Sequence, residues 1–280
     1  MTAKILDGKI TSQKLLTQLS EKVTNLKEKP TLAVLLAGNN PASQIYVNSK
    51  LKKAESLGFK TVFEHKSHDV EEVQILAKID EWNNNPEING ILVQLPLPKH
   101  LDKNKILNAI SAKKDVDGLT AINSGMLYTG QKPCVVPCTT RGIFMLLDEY
   151  NIEIEGKHVV VIGRSNLVGK PTANEFLKRN ATVTICHSHT KNLENIIKTA
   201  DIVVSAVGEK IINVKILGKN SIVVDVGIFR DANGKITGDA DFVSAIDVAS
   251  FISPVPGGVG LMTVTALMYN LFDLYLMQKS

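Results

Sequence analysis

Hydrophobic residues in the first half of the chain alternate between helical spacing and short continuous runs. From Ile10 to Leu26 they recur at helical spacing, which predicts an amphipathic helix. The run TLAVLLAG (31–38) predicts a strand buried on both faces, as in a parallel sheet. Pro41 and Gly58 bound a second predicted helix. FKTVFEH and INGILVQL predict further strands, with helices following them at 70–82 and 102–110.

The second half repeats this alternation after a stretch over 115–140 that is expected to be rich in loops. Helices are predicted over 142–150 and 168–179, and strands over KHVVVIG, ATVTIC, DIVVSAVG and SIVVDVGIF. The segment 263–277 is apolar on nearly all sides, which predicts a buried helix.

Strands that alternate with helices predict an α/β fold with parallel sheets. We expect two α/β lobes flanking a cleft, since clefts at domain junctions are favoured ligand sites. The expected first domain comprises residues 1–139 and is completed by a C-terminal helix at 260–280. The expected second domain comprises residues 140–259 and is Rossmann-like.

Composition fits a soluble globular protein and gives little support to a nucleic-acid or membrane partner. Of 280 residues, 44% are hydrophobic and 21% are charged, and the net charge is only +4. The N-terminus lacks the apolar core of a signal peptide. Three cysteines (Cys134, Cys138 and Cys186) cannot all pair within the chain, which fits reduced thiols. A cytoplasmic location is therefore expected.

The segment VVVIGRSNLVGKP (159–171) predicts a strand, a glycine-rich turn and the start of a helix. Gly163 permits a tight turn, Gly169 permits close packing of helix on sheet, and free N–H groups at the helix start attract phosphate. Ser165 replaces the middle glycine of the dinucleotide-binding pattern. Taken alone, the turn is therefore a weak signal for a nucleotide.

The residues that follow the next predicted strand favour NADP over NAD. This strand ends in Cys186, His187, Ser188 and His189, where NAD-specific folds usually carry an acid. Arg164 in the turn and hydroxyl donors suit a 2′-phosphate instead. Arg164 and the histidines could equally cap elements in solvent. A metal site is not expected, because neighbouring strand residues point to opposite faces.

The segment QIYVNSK (44–50) places Tyr46 and Lys50 on one face of the predicted helix. Short-chain dehydrogenases use the same spacing, but there the pair follows the nucleotide turn. Here the pair precedes the turn, so that interpretation fails on chain order. Most lysines are solvated, whereas one half-buried beside an aromatic ring can lose its proton and act as a base.

Three further features each allow an ordinary and a functional interpretation. Gln94 has apolar neighbours in LVQLPLP, so a buried amide there needs partners. Asp117 in KKDVDGLT could bind a ligand or form an Asx turn. PVPGGVG (254–260) could be a plain loop or a backbone platform that a flat ligand approaches closely.

Taken in order, these segments resemble the bifunctional methylenetetrahydrofolate dehydrogenase/cyclohydrolase family. The matching segments are GNNPASQIYVNSK, GILVQLPLP, KKDVDGLT, PCTTRGI, VIGRSNLVGKP, VDVGIF and SPVPGGVGLMT. The resemblance implies oxidation of 5,10-methylenetetrahydrofolate with NADP, then hydrolysis of the methenyl product to 10-formyltetrahydrofolate. It also implies a homodimer that works in one-carbon metabolism, on which purine, methionine and histidine synthesis draw.

The resemblance also implies a role for individual residues. Lys50 would be the general base or proton shuttle of hydrolysis, and Gln94 would hold it. Asp117 would anchor the N–H groups of the pterin, and Tyr46 would pack on the folate ring system. The remaining residues would line ligands: Pro256 and Gly257 the folate, and Gly163, Arg164, Ser165, Ser188 and Ile228 the NADP, with Thr139 nearby.

Four positions depart from the family's usual pattern. Thr140 and Leu261 stand where proline is common, and Phe229 stands where asparagine is frequent. His189 stands where lysine or arginine is frequent, and a neutral imidazole holds a phosphate less well than a fixed cation. A monofunctional member of the family, a shikimate-type NADP dehydrogenase and a non-catalytic folate or nucleotide-binding regulator are the alternatives.

Overall fold

The computed structural model describes residues 2–131, 135–231 and 234–280, which form two compact units. The first unit comprises residues 15–138 and 267–280, and the second unit comprises residues 1–14 and 139–266. The expected first domain includes residues 1–14, whereas the structure groups these residues with the second unit. The reason is that a short strand near the N-terminus pairs with a strand near residue 251, a contact that the sequence does not reveal.

The helices and strands are numbered in chain order. The helices of the described residues are α1 (Gly8–Thr24), α2 (Pro41–Ser56), α3 (Glu72–Asn84), α4 (Lys103–Asn108), α5 (Ala121–Thr129), α6 (Cys138–Glu149), α7 (Gly169–Lys178), α8 (Leu193–Lys198), α9 (Phe242–Ala245) and α10 (Val259–Lys279). The strands are β1 (Lys4–Ile5), β2 (Thr31–Ala37), β3 (Lys60–Lys66), β4 (Gly90–Val93), β5 (His158–Ile162), β6 (Thr182–Cys186), β7 (Ile202–Ser205), β8 (Ile222–Asp225), β9 (Phe229–Arg230), β10 (Ile236–Thr237) and β11 (Phe251–Ile252).

The first unit is built on a parallel three-stranded sheet in the order β3-β2-β4. Every residue of the central strand β2 is buried, as its continuous apolar run predicts. One face packs on α3 through Ile75, Ile79 and Trp82. The carboxyl ends of the parallel strands meet at one edge of the sheet, which is where ligands bind in such folds.

The second unit is built on a six-stranded sheet in the order β1-β11-β8-β7-β5-β6, in which all pairs are parallel. From β5 the chain continues to β6 on one side, and β7 lies on the other side. This reversal creates a topological switch point at the carboxyl end of β5. The predicted parallel α/β architecture is thereby confirmed.

One local prediction is wrong: the loop-rich stretch over 115–140 contains helix α5. Thr120 caps its start, since its side chain accepts the N–H of Asn123, and Gly130 ends it with φ at 68°. Turn-forming residues such as Asn123 and Gly125 lie inside the helix. They obscure the helical pattern, because local propensity favours turns there while the caps and packing favour the helix.

Helix α10 is the one helix among the described residues that is long and apolar enough to span a membrane by composition alone. Most of it is buried, and Met262, Leu267 and Leu271 are at most 1% exposed. The Asn270 side chain donates to the carbonyl oxygens of Val116 and Val136 at 2.9 and 3.0 Å. The helix is therefore a core helix, as its all-round apolar surface predicts.

Candidate active site

Lys50 and Gln94 form a hydrogen-bonded pair in the first unit. The Nζ of Lys50, a half-buried residue of α2, donates to Oε1 of Gln94 at 3.0 Å. Gln94 follows β4 and is buried, and its Nε2 donates to the carbonyl oxygen of Leu95 at 2.6 Å. Because the amide nitrogen is bound to the backbone, the amide oxygen is held toward Lys50. The buried amide therefore has the partners that its apolar surroundings require.

Helix α2 carries Tyr46 one turn before Lys50, as predicted. Asn40 caps this helix, since its side chain accepts the N–H groups of Ala42 and Ser43, and Pro41 occupies its first turn. Tyr46 is 49% exposed, so much of its surface is open to a ligand.

Asp117 is half-buried in the loop that follows the DVDG turn residue Asp115. Burial of the carboxyl group raises the pKa of Asp117. The Lys50 charge and a hydrogen bond with the Cys138 thiol oppose this rise in pKa, and the Asp115 charge adds to it. The first unit thus brings together an amine, a neutral amide and an enclosed carboxyl group.

The loop that carries Asp117 is organised by Asp115, which is 1% exposed. The Asp115 carboxylate accepts the backbone N–H groups of Gly118 and Thr120 at 2.9 and 2.8 Å and the side-chain amide of Asn123 at 2.9 Å. The sequence reasoning missed this residue. The signal was present, because Asp115 is the first acid of the DVDG segment and its neighbours are turn-forming.

The glycine-rich turn of the second unit joins β5 to α7, as predicted. Gly163 has φ at 119°, and a Cβ atom there would lie 2.9 Å from the carbonyl oxygen of Ala206. A Cβ atom on Gly169 would lie 2.1 Å from the carbonyl oxygen of Gly163, so both positions are too crowded for a side chain. Ser165 Oγ accepts the N–H groups of Val168 and Gly169 at 3.1 and 3.4 Å. A hydroxyl thus caps the start of α7 where the usual pattern has a glycine.

Arg164, Ser188 and His189 are exposed and follow the carboxyl ends of β5 and β6. No acidic side chain of the described ranges is ion-paired with Arg164. Partial burial and the charges of Arg164 and His189 lower the pKa of His187. The backbone N–H of His189 donates to Nδ1 of His187 at 3.2 Å. This surface fits a phosphate group, since an arginine and a hydroxyl lie open beside a glycine turn.

The other predicted site residues also lie in the second unit. Ile228 is 49% exposed and follows β8, and Thr139 accepts a hydrogen bond from the Thr263 hydroxyl at 3.4 Å. Pro256 and Gly257 follow β11, and Gly257 has φ at 111°. Cys138 and Cys186 are buried thiols, and Cys134 lies outside the described residues.

A parallel sheet with a glycine turn at its switch point is the architecture of dinucleotide-dependent dehydrogenases. The tight turn that Gly163 and Gly169 allow and the exposed Arg164 fit a bound NADP. By fold and site, the protein thus belongs to the class of NADP-dependent α/β dehydrogenases.

Comparison with known proteins identifies the family. Residues 6–117 match the tetrahydrofolate dehydrogenase/cyclohydrolase catalytic domain, and residues 137–279 match the NAD(P)-binding domain of the same family. The Bifunctional protein FolD of Janthinobacterium sp. is 48% identical over 277 residues, which cover 98% of each chain.

Two solved structures are similar over nearly the full chain. Bifunctional FolD from Campylobacter jejuni has a TM-score of 0.97 at 43% identity, covering 98% of this chain and 99% of that one. The Trypanosoma brucei FolD, solved with NADP cofactor and inhibitor, has a TM-score of 0.94 at 33% identity, covering 99% of this chain and 98% of that one.

The chain belongs to the tetrahydrofolate dehydrogenase/cyclohydrolase family. It is a bifunctional NADP-dependent enzyme that oxidises 5,10-methylenetetrahydrofolate to the methenyl form and hydrolyses that to 10-formyltetrahydrofolate. The match across both domains does not favour the alternative of a shikimate-type dehydrogenase.

Proposed function

We propose that Lys50, held by Gln94, is the proton-transfer group of the cyclohydrolase step. The observation that carries this proposal is the 3.0 Å hydrogen bond between the two side chains. Hydrolysis requires water to attack the methenyl carbon and lose a proton, which a neutral amine can accept. The bond from this carbon to N5 of the folate then breaks and N5 takes up a proton, which the resulting ammonium can return, so that the formyl group stays on N10. An amide oxygen accepts a hydrogen bond from both the amine and the ammonium, so the pair stays assembled through the proton transfer.

Asp117 anchors the pterin of the folate in this proposal. A carboxylate that accepts ring and amino N–H groups forms charge-assisted hydrogen bonds, which are short and strong. Its enclosed carboxyl group and the rigid loop held by Asp115 support this role. Tyr46, exposed one helical turn before Lys50, packs its ring against the folate ring system.

The dehydrogenase step places a smaller demand on side chains. The lone pair of a folate nitrogen stabilises the cation that forms as hydride leaves, so no side-chain base is needed. Positioning of folate against nicotinamide then supplies most of the catalysis. The NADP-lining residues that we propose are Gly163, Arg164, Ser165, Ser188 and Ile228, with Thr139 nearby.

The two functions divide along the chain as follows. Residues 1–139 with helix 260–280 bind folate, and residues 140–259 bind NADP; Pro256 and Gly257, from the latter segment, contribute to the folate platform. The family match to a catalytic domain over 6–117 and an NAD(P)-binding domain over 137–279 supports a division near residue 139. The grouping of residues 267–280 with residues 15–138 supports the assignment of the last helix. We further propose a cytoplasmic homodimer, without nucleic-acid or membrane partners, in one-carbon metabolism that feeds purine, methionine and histidine synthesis.

The test is Lys50→Met, with Lys53→Met in the same helix as the matched control. The enzyme is supplied with methylenetetrahydrofolate and NADP, and both NADPH and the methenyl intermediate are followed by absorbance. We expect Lys50→Met to accumulate methenyltetrahydrofolate while NADPH still forms, and Lys53→Met to behave as the wild type. Equal loss of both activities together with folate binding would show that Lys50 only binds substrate.

A further inference from the structure

Asp239 is a fully buried carboxylate in the second unit, and the hydrogen-bond donors to its side chain all lie within residues 205–209, at the end of β7. It is 0% exposed and accepts the Ser205 hydroxyl at 2.7 Å and the backbone N–H groups of Val207 and Glu209 at 2.8 and 3.0 Å. These donors span the turn at the end of the strand. Asp239 therefore fixes the path of the backbone there.

Asp225, the last residue of β8, binds the neighbouring segment in the same way. It accepts the N–H groups of Gly227, Asp239 and Ala240 at 3.1, 2.9 and 2.8 Å. A Cβ atom on Gly227 would lie 1.7 Å from the Asp239 carboxylate. The turns after β7 and β8 are thus packed directly onto two buried acids that hydrogen-bond one another through the Asp239 backbone.

These two turns lie beside the glycine turn of the proposed cofactor site. Strands β8, β7 and β5 are neighbours in the sheet, so their carboxyl ends are adjacent. A Cβ atom on Gly163 would meet the carbonyl oxygen of Ala206, and one on Gly208 would lie 3.8 Å from that of Ile228. Residues 206–208 therefore lie between Gly163 and Ile228.

The donor pattern distinguishes a backbone-holding role from a metal-binding role. Both carboxylate oxygens of Asp239 already accept hydrogen bonds from N–H or O–H groups, whereas a cation would need open oxygens. A carboxylate also suits this position better than an amide, because an amide would turn one N–H group toward a backbone N–H donor.

We propose that Asp239 is a positioning residue for the dehydrogenase reaction, holding residues 206–208 in the shape that NADP binding requires. This inference rests on the proposed NADP site, in particular on Ile228 as a residue that lines it. Asp239 itself is buried away from the cofactor surface, so it acts through the backbone of Val207.

The test measures the Kd of NADP by calorimetry and the melting temperature for four variants of the full chain. Ser205→Ala removes one hydrogen-bond donor to Asp239 with little change of shape. Asp239→Asn replaces one acceptor oxygen with an N–H donor that faces another donor. Ile228→Ala, at an exposed position, reports on the site itself. Asp115→Asn is the matched control, because it alters a buried carboxylate that holds a loop in the first unit.

We expect the Kd of NADP to rise roughly tenfold in Asp239→Asn and about threefold in Ser205→Ala, in keeping with the loss of charge-assisted hydrogen bonds. Asp115→Asn should lower the melting temperature but leave the Kd of NADP within about twofold. The KM of folate should rise in Asp115→Asn and stay unchanged in Ser205→Ala. If Asp239→Asn does not fold, Ser205→Ala decides the question, because it removes one hydrogen bond to Asp239 without adding atoms.

The outcomes separate the two levels of the proposal. If Ile228→Ala weakens NADP binding but Asp239→Asn and Ser205→Ala do not, the positioning role is overturned and the NADP site stands. If Ile228→Ala leaves NADP binding unchanged, the assignment of the site is wrong and the inference falls with it. If NADP binding weakens equally in Asp115→Asn and Asp239→Asn, the cause is a general loss of stability, and the inference is overturned.

Discussion

Lys50 and Gln94 are hydrogen-bonded at 3.0 Å although they lie 44 positions apart in the chain. The lysine comes from α2 and the glutamine from the end of β4, and the amide nitrogen of Gln94 is bound to the carbonyl oxygen of Leu95. A neutral acceptor thus faces the amine. An amide oxygen accepts a hydrogen bond from an amine and from an ammonium alike, so the contact itself does not oppose a proton-transfer role.

Glycine at the start of α1 is required by packing and not by backbone conformation. A Cβ atom on Gly8 would lie 2.1 Å from the carbonyl oxygen of Gly258 and 2.9 Å from that of Gly257. We predict that Gly8→Ala lowers the melting temperature and raises the KM of folate, because it displaces the loop proposed as the folate platform.

Gly125→Ala is the matched control for this substitution. Gly125 also lies in a helix, and a Cβ atom there would have nothing within 4 Å. Alanine should therefore stabilise α5 by up to about 1 kcal/mol. Thermal melting of both variants tests the argument. If Gly8→Ala were as stable as Gly125→Ala, the close packing at Gly258 would be contradicted.

Asp225 should titrate far above an ordinary aspartate. Burial raises the pKa of Asp225 to about 6, and the charge of Asp239 adds to this rise. Hydrogen bonds from the N–H groups of Ala240, Asp239 and Gly227 oppose it. In the unfolded chain the pKa of the carboxyl group is about 3.9. Between these values the folded chain binds a proton that the unfolded chain does not. This group therefore favours folding increasingly as pH falls through about 6, and that contribution is lost as pH rises through the same value.

Carbon-13 NMR of the side-chain carboxyl groups measures this titration directly. The expected result is one resonance with a midpoint near pH 6 that is missing from Asp225→Asn. A midpoint for Asp225 near that of exposed aspartates, about 4, would show that its carboxyl group is hydrated.

The fold and the candidate site differ in how far the sequence predicts them. The apolar run of β2 and the caps of α2 are local signals, so strand and helix were predictable from residues 31–58 alone. Helix α5 was missed because its turn-forming residues conflict with its caps. The role of Asp239 was also missed, since its partners Ser205, Val207 and Glu209 lie 30 to 34 positions away. Contacts at that separation leave no spacing pattern in the sequence.

Replacing His189 with lysine should strengthen NADP binding. The residue is exposed after β6, on the surface proposed for the 2′-phosphate. Because a lysine carries a fixed positive charge that forms charge-assisted hydrogen bonds with phosphate, we predict that His189→Lys lowers the Kd of NADP about three- to tenfold.

NAD, which lacks the 2′-phosphate, should bind wild type and His189→Lys equally well. Calorimetric titrations of both proteins with both cofactors supply the comparison. An unchanged Kd of NADP in His189→Lys would rule out a contact between residue 189 and the phosphate.

The central claim is that Lys50, held by the neutral amide of Gln94, transfers the proton of the hydrolysis step, and Gln94→Glu tests this most directly. A carboxylate at this position favours the ammonium form of a neighbouring amine, and an ammonium cannot take a proton from the attacking water. The measurement is the kcat of cyclohydrolase, with the kcat of dehydrogenase in the same variant as the internal control. We predict that the cyclohydrolase kcat falls at least about a hundredfold while the dehydrogenase kcat stays within about threefold. An equal fall in both activities, or an unchanged cyclohydrolase kcat, would contradict Lys50 as the proton-transfer group.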